Sequence, residues 1–169
     1  DHRALWARAE RASLAGAPAW VLAPEDLLLH VCLHAGAQDL FLGGLRPLYD
    51  LAALLSHYGA RLDQARAAAR AREWGLARVA YLCLALAQEL LGAPVAQEAL
   101  AALWPGEEAA RQRAVVRRLV LDEALRARGA PSPNLVALWT ASRSATPWEV
   151  ARRVLWPEPL HLRALLGLP

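Results

Sequence analysis

The sequence predicts an all-α fold, and three features of composition and patterning support this prediction. Hydrophobic residues make up 56% of the 169 positions, which suits one compact domain and excludes a disordered chain. Apolar residues recur at helical spacing over most of the chain. Glycine or proline stands at the borders of the periodic segments, as is typical of helix ends. We therefore expect a compact multi-helix single domain spanning residues 1–169.

The amino-terminal part contains the only candidate for extended structure. Residues 1–12 are expected to form a short Arg-rich helix. Residues 13–23 combine a Gly-Ala-Pro break with the β-favouring sequence Trp20-Val21-Leu22, which indicates a short extended segment.

Two helices are expected at the centre of the fold. The first begins at Pro24, with two acidic residues behind it at the positive end of the helix dipole, and runs to Ala35. The second spans residues 76–91 and has only a narrow polar stripe. Helices that are apolar nearly all round are normally buried. Further helices are expected over 47–58, 62–74, 96–103 and 107–128, with shorter pieces at 134–142, 146–155 and 160–166.

Charge and cysteine usage exclude several classes of protein. The 19 basic residues and 16 acidic residues leave a net charge of +3, and the two signs are interspersed, so nucleic acid is not an expected partner. No run of about 18 residues is apolar enough to cross a membrane, and no signal peptide is recognisable, so the expected location is the cytoplasm. Cys32 and Cys83 lie in apolar runs and are expected to be buried, reduced thiols.

The two histidines of His30-Val31-Cys32-Leu33-His34 project from one helical face and form the first candidate site. Two ligands with no third one nearby do not make a convincing metal site, so we expect no metal here. The main alternative is that one or both histidines are buried and hydrogen-bonded.

Asp50 is the second candidate, because it lies in the otherwise apolar stretch Leu48-Tyr49-Asp50-Leu51-Ala52. An unpaired carboxylate in an apolar interior would cost several kcal/mol, so we expect Asp50 to be buried and bonded to His34 or Arg46. Such a pair could serve architecture or catalysis, and both interpretations stay open.

Several motifs in order resemble one known family. They are Ala4-Leu5-Trp6, Pro24-Glu25-Asp26-Leu27-Leu28 followed by His34, Leu45-Arg46-Pro47-Leu48-Tyr49-Asp50, Trp74-Gly75-Leu76-Ala77, Leu90-Leu91-Gly92-Ala93-Pro94 and Leu155-Trp156-Pro157-Glu158-Pro159. Their order and spacing resemble the bacterial nucleotidyltransferase-like family known as uncharacterised nucleotidyltransferases, which is similar to the polymerase-β superfamily. The resemblance covers most of the chain.

This resemblance implies an amino-terminal α/β palm with paired aspartates for a metal-bound nucleotide, followed by a helical region. The present sequence resembles the helical region only, because it contains no two neighbouring aspartates and no phosphate-binding glycine loop. We therefore expect no cofactor in this chain, and Mg²⁺ with a nucleoside triphosphate (NTP) only in a missing palm. His34 and Asp50 match recurrent family positions without an assigned role.

Two functions follow from this interpretation. The first is a helical accessory domain that helps form the nucleotide or acceptor cleft, whose partner is its own missing palm and which is inactive alone. The second is a stand-alone helical module that binds a protein partner. Whether the native protein is an enzyme stays open at this point.

Overall fold

The computed structural model describes residues 2–39, 41–104 and 107–124, and this part of the chain is mostly helical with one small two-stranded sheet. The α-helices are α1 (His2–Arg8), α2 (Pro24–Cys32), α3 (Arg46–Tyr58), α4 (Gln64–Glu73), α5 (Ala77–Leu91), α6 (Gln97–Leu103) and α7 (Glu107–Leu121), and the strands are β1 (Glu10–Leu14) and β2 (Ala17–Val21). The helical pieces predicted within residues 134–166 lie outside the described residues. Among the helices that are described, none combines the length and apolar character needed to cross a membrane.

The sheet is an antiparallel hairpin in which Glu10 pairs with Val21 and Leu14 with Ala17. Ala15 and Gly16 form its two-residue turn with φ angles of 50° and 85°, the left-handed region that a tight hairpin turn requires. The predicted extended segment is confirmed at β2. The predicted helix over residues 1–12 is wrong beyond Arg8, because pairing across the turn places Glu10–Leu14 in a strand despite its weak β propensity.

The predicted central helices, α2 and α5, do lie at the centre. Leu29 is 1% exposed, and Leu84 and Leu86 are 4% and 0% exposed. Helix α5 packs against α2, α3, α4, α6 and α7, and the buried apolar side chains of these helices form one continuous core. The nearly continuous apolar surface of α5 is therefore explained by neighbours on several sides.

Helix α7 is fastened to α5 by apolar and ionic contacts. Val116 and Val120 are buried in the core, each 1% exposed. Glu89 on α5 forms ion pairs with Arg113 at 3.4 Å and Arg117 at 2.9 Å. One face of this Arg-rich helix thus packs against the core, while these two arginines form ion pairs with Glu89 at the surface.

Helix α2 does not stop at Ala35 as the sequence predicts but continues from Leu33 to Gln38 as a wider π-helical segment. Gly36 lies in this segment, where an added Cβ would be 2.6 Å from Cγ1 of Val79 and 3.0 Å from Cζ of Phe41. Phe41 is buried with a φ of 61°, a strained value for a bulky residue. The π-helical segment therefore packs tightly against α5 and the following turn. This packing holds in place the segment that carries the first residues of the candidate site.

Candidate functional site

An open cavity of about 410 Å³ lies between α2, its π-helical continuation and the start of α3. Its volume falls in the range of roughly 300–1,000 Å³ that is typical of small-molecule sites. The lining residues are His30, Val31, His34, Ala35, Asp39, Gly43, Arg46, Pro47 and Asp50. The four site residues proposed from the sequence, His30, His34, Arg46 and Asp50, thus all line one cavity.

Helical spacing places these side chains in two pairs. His30 lies on α2 and His34 on the π-helical segment, and their rings meet edge to face with centroids 4.6 Å apart. Arg46 and Asp50 lie one turn apart at the start of α3, where Pro47 occupies the first turn. The two pairs face each other across the cavity because the turn after the π-helical segment reverses the chain.

The charges around the cavity have both signs. In the part of the chain that the structure describes, these are the carboxylates of Asp39 and Asp50 and the guanidinium of Arg46. Partial burial lowers the pKa of His30, and the nearby His34 lowers it further. Both effects disfavour the imidazolium form, so the His30 ring stays uncharged at neutral pH.

The prediction that Asp50 is buried and paired is wrong. Asp50 is exposed, and it makes no ion pair with Arg46 or His34 within the described residues. On α3 the buried stripe consists of Leu48, Leu51 and Leu55, and Asp50 lies on the other face. The apolar neighbours of Asp50 in sequence therefore did not predict its environment, since neighbouring residues on a helix point in different directions.

The more deeply buried of two carboxylates at the start of α2 is Asp26, which the sequence marks only as a partner of the helix dipole. Its side chain is fully buried and accepts hydrogen bonds from Nε of Arg8 at 2.7 Å and from an Nη of Arg70 at 2.6 Å. Two guanidinium groups thus compensate one buried charge and join α1, α2 and α4. An acid in the first turn of a helix that is otherwise apolar was the signal for this role.

Glu25, beside Asp26, is also buried and has an architectural role. Its Oε1 accepts the backbone N–H of Asp63 at 3.0 Å, while the side chain of Asp63 accepts the N–H of Arg66 at 2.9 Å. Asp63 therefore caps α4, which begins at Gln64 rather than at the predicted Leu62. The two acidic residues at the start of α2 therefore bond to neighbouring segments of the fold, and neither of them lines the cavity.

The cysteines lie away from the cavity. Cys32 and Cys83 are both buried, as predicted, and no disulfide joins them. The thiol of Cys83 donates to the carbonyl of Cys32 at 3.7 Å, and burial raises its pKa well above the usual range. Cys32 is thus a core residue between two helices rather than a ligand beside the histidines.

The described residues do not offer a site for the Mg²⁺ that nucleotide transfer requires. Within residues 2–39, 41–104 and 107–124, no three histidine, cysteine or acidic side chains are grouped closely enough to hold a metal ion. Asp39 and Asp50 share the cavity with His30 and His34, but no three of these side chains are grouped closely enough to hold one ion. The donor set of the cavity therefore does not fit this ion.

Comparison with known families bears directly on this geometry. The profile of a family described as uncharacterised nucleotidyltransferase matches residues 1–92, more than half of the chain. The chain belongs to this family. The match covers every described residue that lines the cavity, so these residues lie in the region that the family profile describes. Neither the curated proteins nor the solved structures include a match to the chain.

Proposed function

We propose that this chain is the helical accessory domain of a nucleotidyltransferase-like protein, and that its cavity forms part of the cleft in which nucleotide and acceptor meet. The observation that carries the proposal is the convergence of His30, His34, Arg46 and Asp50 on one open cavity within the family region. These side chains are polar and accessible, and their placement is not needed to satisfy a buried charge. Such groups are available for a ligand.

The distribution of acids supports an accessory role rather than a complete active site. In-line transfer to or from an NTP needs carboxylates that converge on metal ions bound to the phosphates. In the part of the chain that the structure describes, Asp26 is bonded to two arginines and Asp63 caps a helix, so neither carboxylate is available for a metal ion. The metal-binding acids of the reaction would come from a palm.

The test uses the longest polypeptide that the gene encodes, incubated with Mg²⁺ and each labelled NTP. We expect His34→Gln and Asp50→Asn to lower kcat/KM for label transfer at least about tenfold, the effect of losing roughly 1.4 kcal/mol of binding. Glu73→Gln, an exposed acid at the end of α4, is the control and should leave transfer unchanged. A polypeptide with a palm whose transfer is unaffected by both cavity variants would overturn the proposal.

One observation favours the second candidate function, a stand-alone module that binds a protein. Trp6, Leu14 and Trp20 are 66%, 72% and 57% exposed on α1 and the hairpin, an unusual exposure for large apolar side chains. A gene that encodes no palm, together with loss of partner binding in Trp20→Ser, would favour this function over the first.

A further inference from the structure

The lining of the cavity distinguishes between the two ligands of a nucleotidyl transfer. The side chains that face the cavity with charge are Asp39 from the turn, and Arg46 and Asp50 from α3. Among the described residues, two carboxylates against one guanidinium leave one net negative charge. His30 from α2 adds no charge at neutral pH, because burial and His34 lower its pKa.

A polyphosphate does not suit this lining. A triphosphate brings several negative charges, and at a few ångströms each carboxylate would repel them by an energy that matters even at high effective dielectric. Gly43 and Gly44 do precede the 13-residue helix α3, but Pro47 in its first turn has no N–H to donate to a phosphate. A single guanidinium flanked by an acid on the same helix face is a poor phosphate site.

A small cation with hydroxyl groups suits it well. Asp39 and Asp50 can accept hydrogen bonds from an ammonium group, and the uncharged imidazole of His30 can exchange hydrogen bonds with hydroxyls. Apolar lining residues supply a wall against which carbon atoms can pack, and these are Val31, Ala35 and Pro47. The volume of about 410 Å³ accommodates a molecule the size of one or two sugar rings.

We propose that the cavity binds the acceptor and not the nucleotide, and that this acceptor is a small polyhydroxylated molecule with a protonated amine. The assignment as acceptor rests on the proposed function, whereas the preference for an amine rests on the charges and shape of the cavity. The two can therefore fail separately.

The test is a binding measurement on residues 1–169 with three matched probes. Binding is detected by calorimetry and by NMR shifts of the histidine rings. The probes are glucamine, which is a cation, sorbitol, which is uncharged, and sorbitol 6-phosphate, which is an anion. At pH 7.5 we expect glucamine to bind at least about tenfold more tightly than either of the others, as for roughly 1.4 kcal/mol of charge complementarity. Because no nucleotide or palm is present, this result is independent of transferase activity.

Substitutions test the contribution of each charged side chain of the cavity separately. Asp50→Asn and Asp39→Asn should each weaken glucamine binding about fivefold or more, whereas Arg46→Gln should leave it equal or tighter. Glu73→Gln removes the same charge far along the chain and should change nothing. Asp39, Asp50 and Glu73 are exposed, so substitution of these three residues should leave the melting temperature unchanged.

Acidification gives a further check with a defined sign. Burial and His34 lower the pKa of His30, so its imidazole gains a proton only at lower pH than usual, and this proton offsets the net negative charge of Asp39, Asp50 and Arg46. Glucamine affinity should therefore fall as the pH is lowered from 7.5, and it should fall less in His30→Gln.

Two results would overturn the proposal. Tighter binding of sorbitol 6-phosphate than of glucamine, abolished by Arg46→Gln, would make the cavity a phosphate site on the nucleotide side of the cleft. Absence of shifts at His30 and His34 with all three probes at millimolar concentration would show that the cavity binds no such ligand.

Discussion

Asp26 is the residue on which the attachment of α1 to the helical body depends most. Its fully buried carboxylate is compensated by Arg8, 31% exposed in its side chain, and by Arg70, 12% exposed. Removal of one partner from a buried ionic group strands the charges that remain. The same carboxylate also holds α4, so its loss affects two contacts between helices at once.

We predict that Asp26→Ala lowers the free energy of unfolding by about 3 kcal/mol, near the lower end of the range for a broken buried ion pair, because Arg8 can turn towards water. Urea denaturation followed by circular dichroism measures the change. Glu73→Gln serves as the control, with an expected change within about 0.5 kcal/mol. A loss below that value in Asp26→Ala would show that the two arginines do not depend on this carboxylate.

Asp50→Ala has the opposite expectation. Because Asp50 is exposed on the outer face of α3, its replacement should change stability by no more than about 0.5 kcal/mol. The same urea titration measures this. A loss of several kcal/mol would mean that the carboxylate is buried and paired after all.

At the residue level, the sequence indicated which polar side chains lie near one another, but it did not indicate their environment. The i,i+4 spacing places His30 beside His34, and it places Arg46 beside Asp50. Whether each position faces the core depends on which helices pack where, and this is decided by contacts distant in sequence. For that reason Asp50 was expected inside and Asp26 was not.

At the element level, the π-helical segment after α2 is the feature on which the shape of the cavity depends. It carries His34 and Ala35 on the cavity side and Gly36 on the core side. Such segments are frequent at functional sites, where the added residue turns side chains to new directions. Gly36 permits this segment to approach α5 closely.

Gly36→Ala should therefore destabilise the fold by about 1–3 kcal/mol, the usual cost of overpacking. The new methyl group would meet Val79 at 2.6 Å and Phe41 at 3.0 Å. A double-mutant cycle with Val79→Ala isolates the clash, and the cost of Gly36→Ala should be smaller in that background. Equal costs in both backgrounds would mean that the glycine is not required by its contact with α5.

Helix ends with side-chain or glycine signals were predicted well, and those set by packing were not. Pro24 and Gly92 mark the start of α2 and the end of α5 within one or two residues. In contrast, nothing local announces the π-helical segment or strand β1. The strand exists because its partner is brought back by the turn at Ala15-Gly16, and the partner is not visible in the strand's own sequence.

On the scale of the whole molecule, burial around α5 accounts for the fold. Leu86 is fully buried in this central helix, so we predict that Leu86→Ala costs about 2–5 kcal/mol. Thermal and urea unfolding measure this cost, and Leu91→Ala, at an exposed position of the same helix, provides the comparison. Similar small losses for both variants would contradict the central position of α5.

The helical class and the two central helices followed from composition and periodicity, because a helix that is apolar on all sides has to be surrounded. The cavity did not follow from either, since it arises between α2 and α3 where no pattern within one helix describes it. The family resemblance supplied His34 and Asp50, and the structure added Asp39.

The central claim is that this chain contributes a ligand cavity to nucleotidyl transfer without supplying the catalytic acids. The most direct measurement is label transfer from each NTP with Mg²⁺, by residues 1–169 alone and by the longest polypeptide that the gene encodes. We predict transfer by the longer polypeptide, reduced by Asp50→Asn, and none by residues 1–169 alone. Transfer by residues 1–169 alone, abolished by substitution of one acid within them, would contradict this claim.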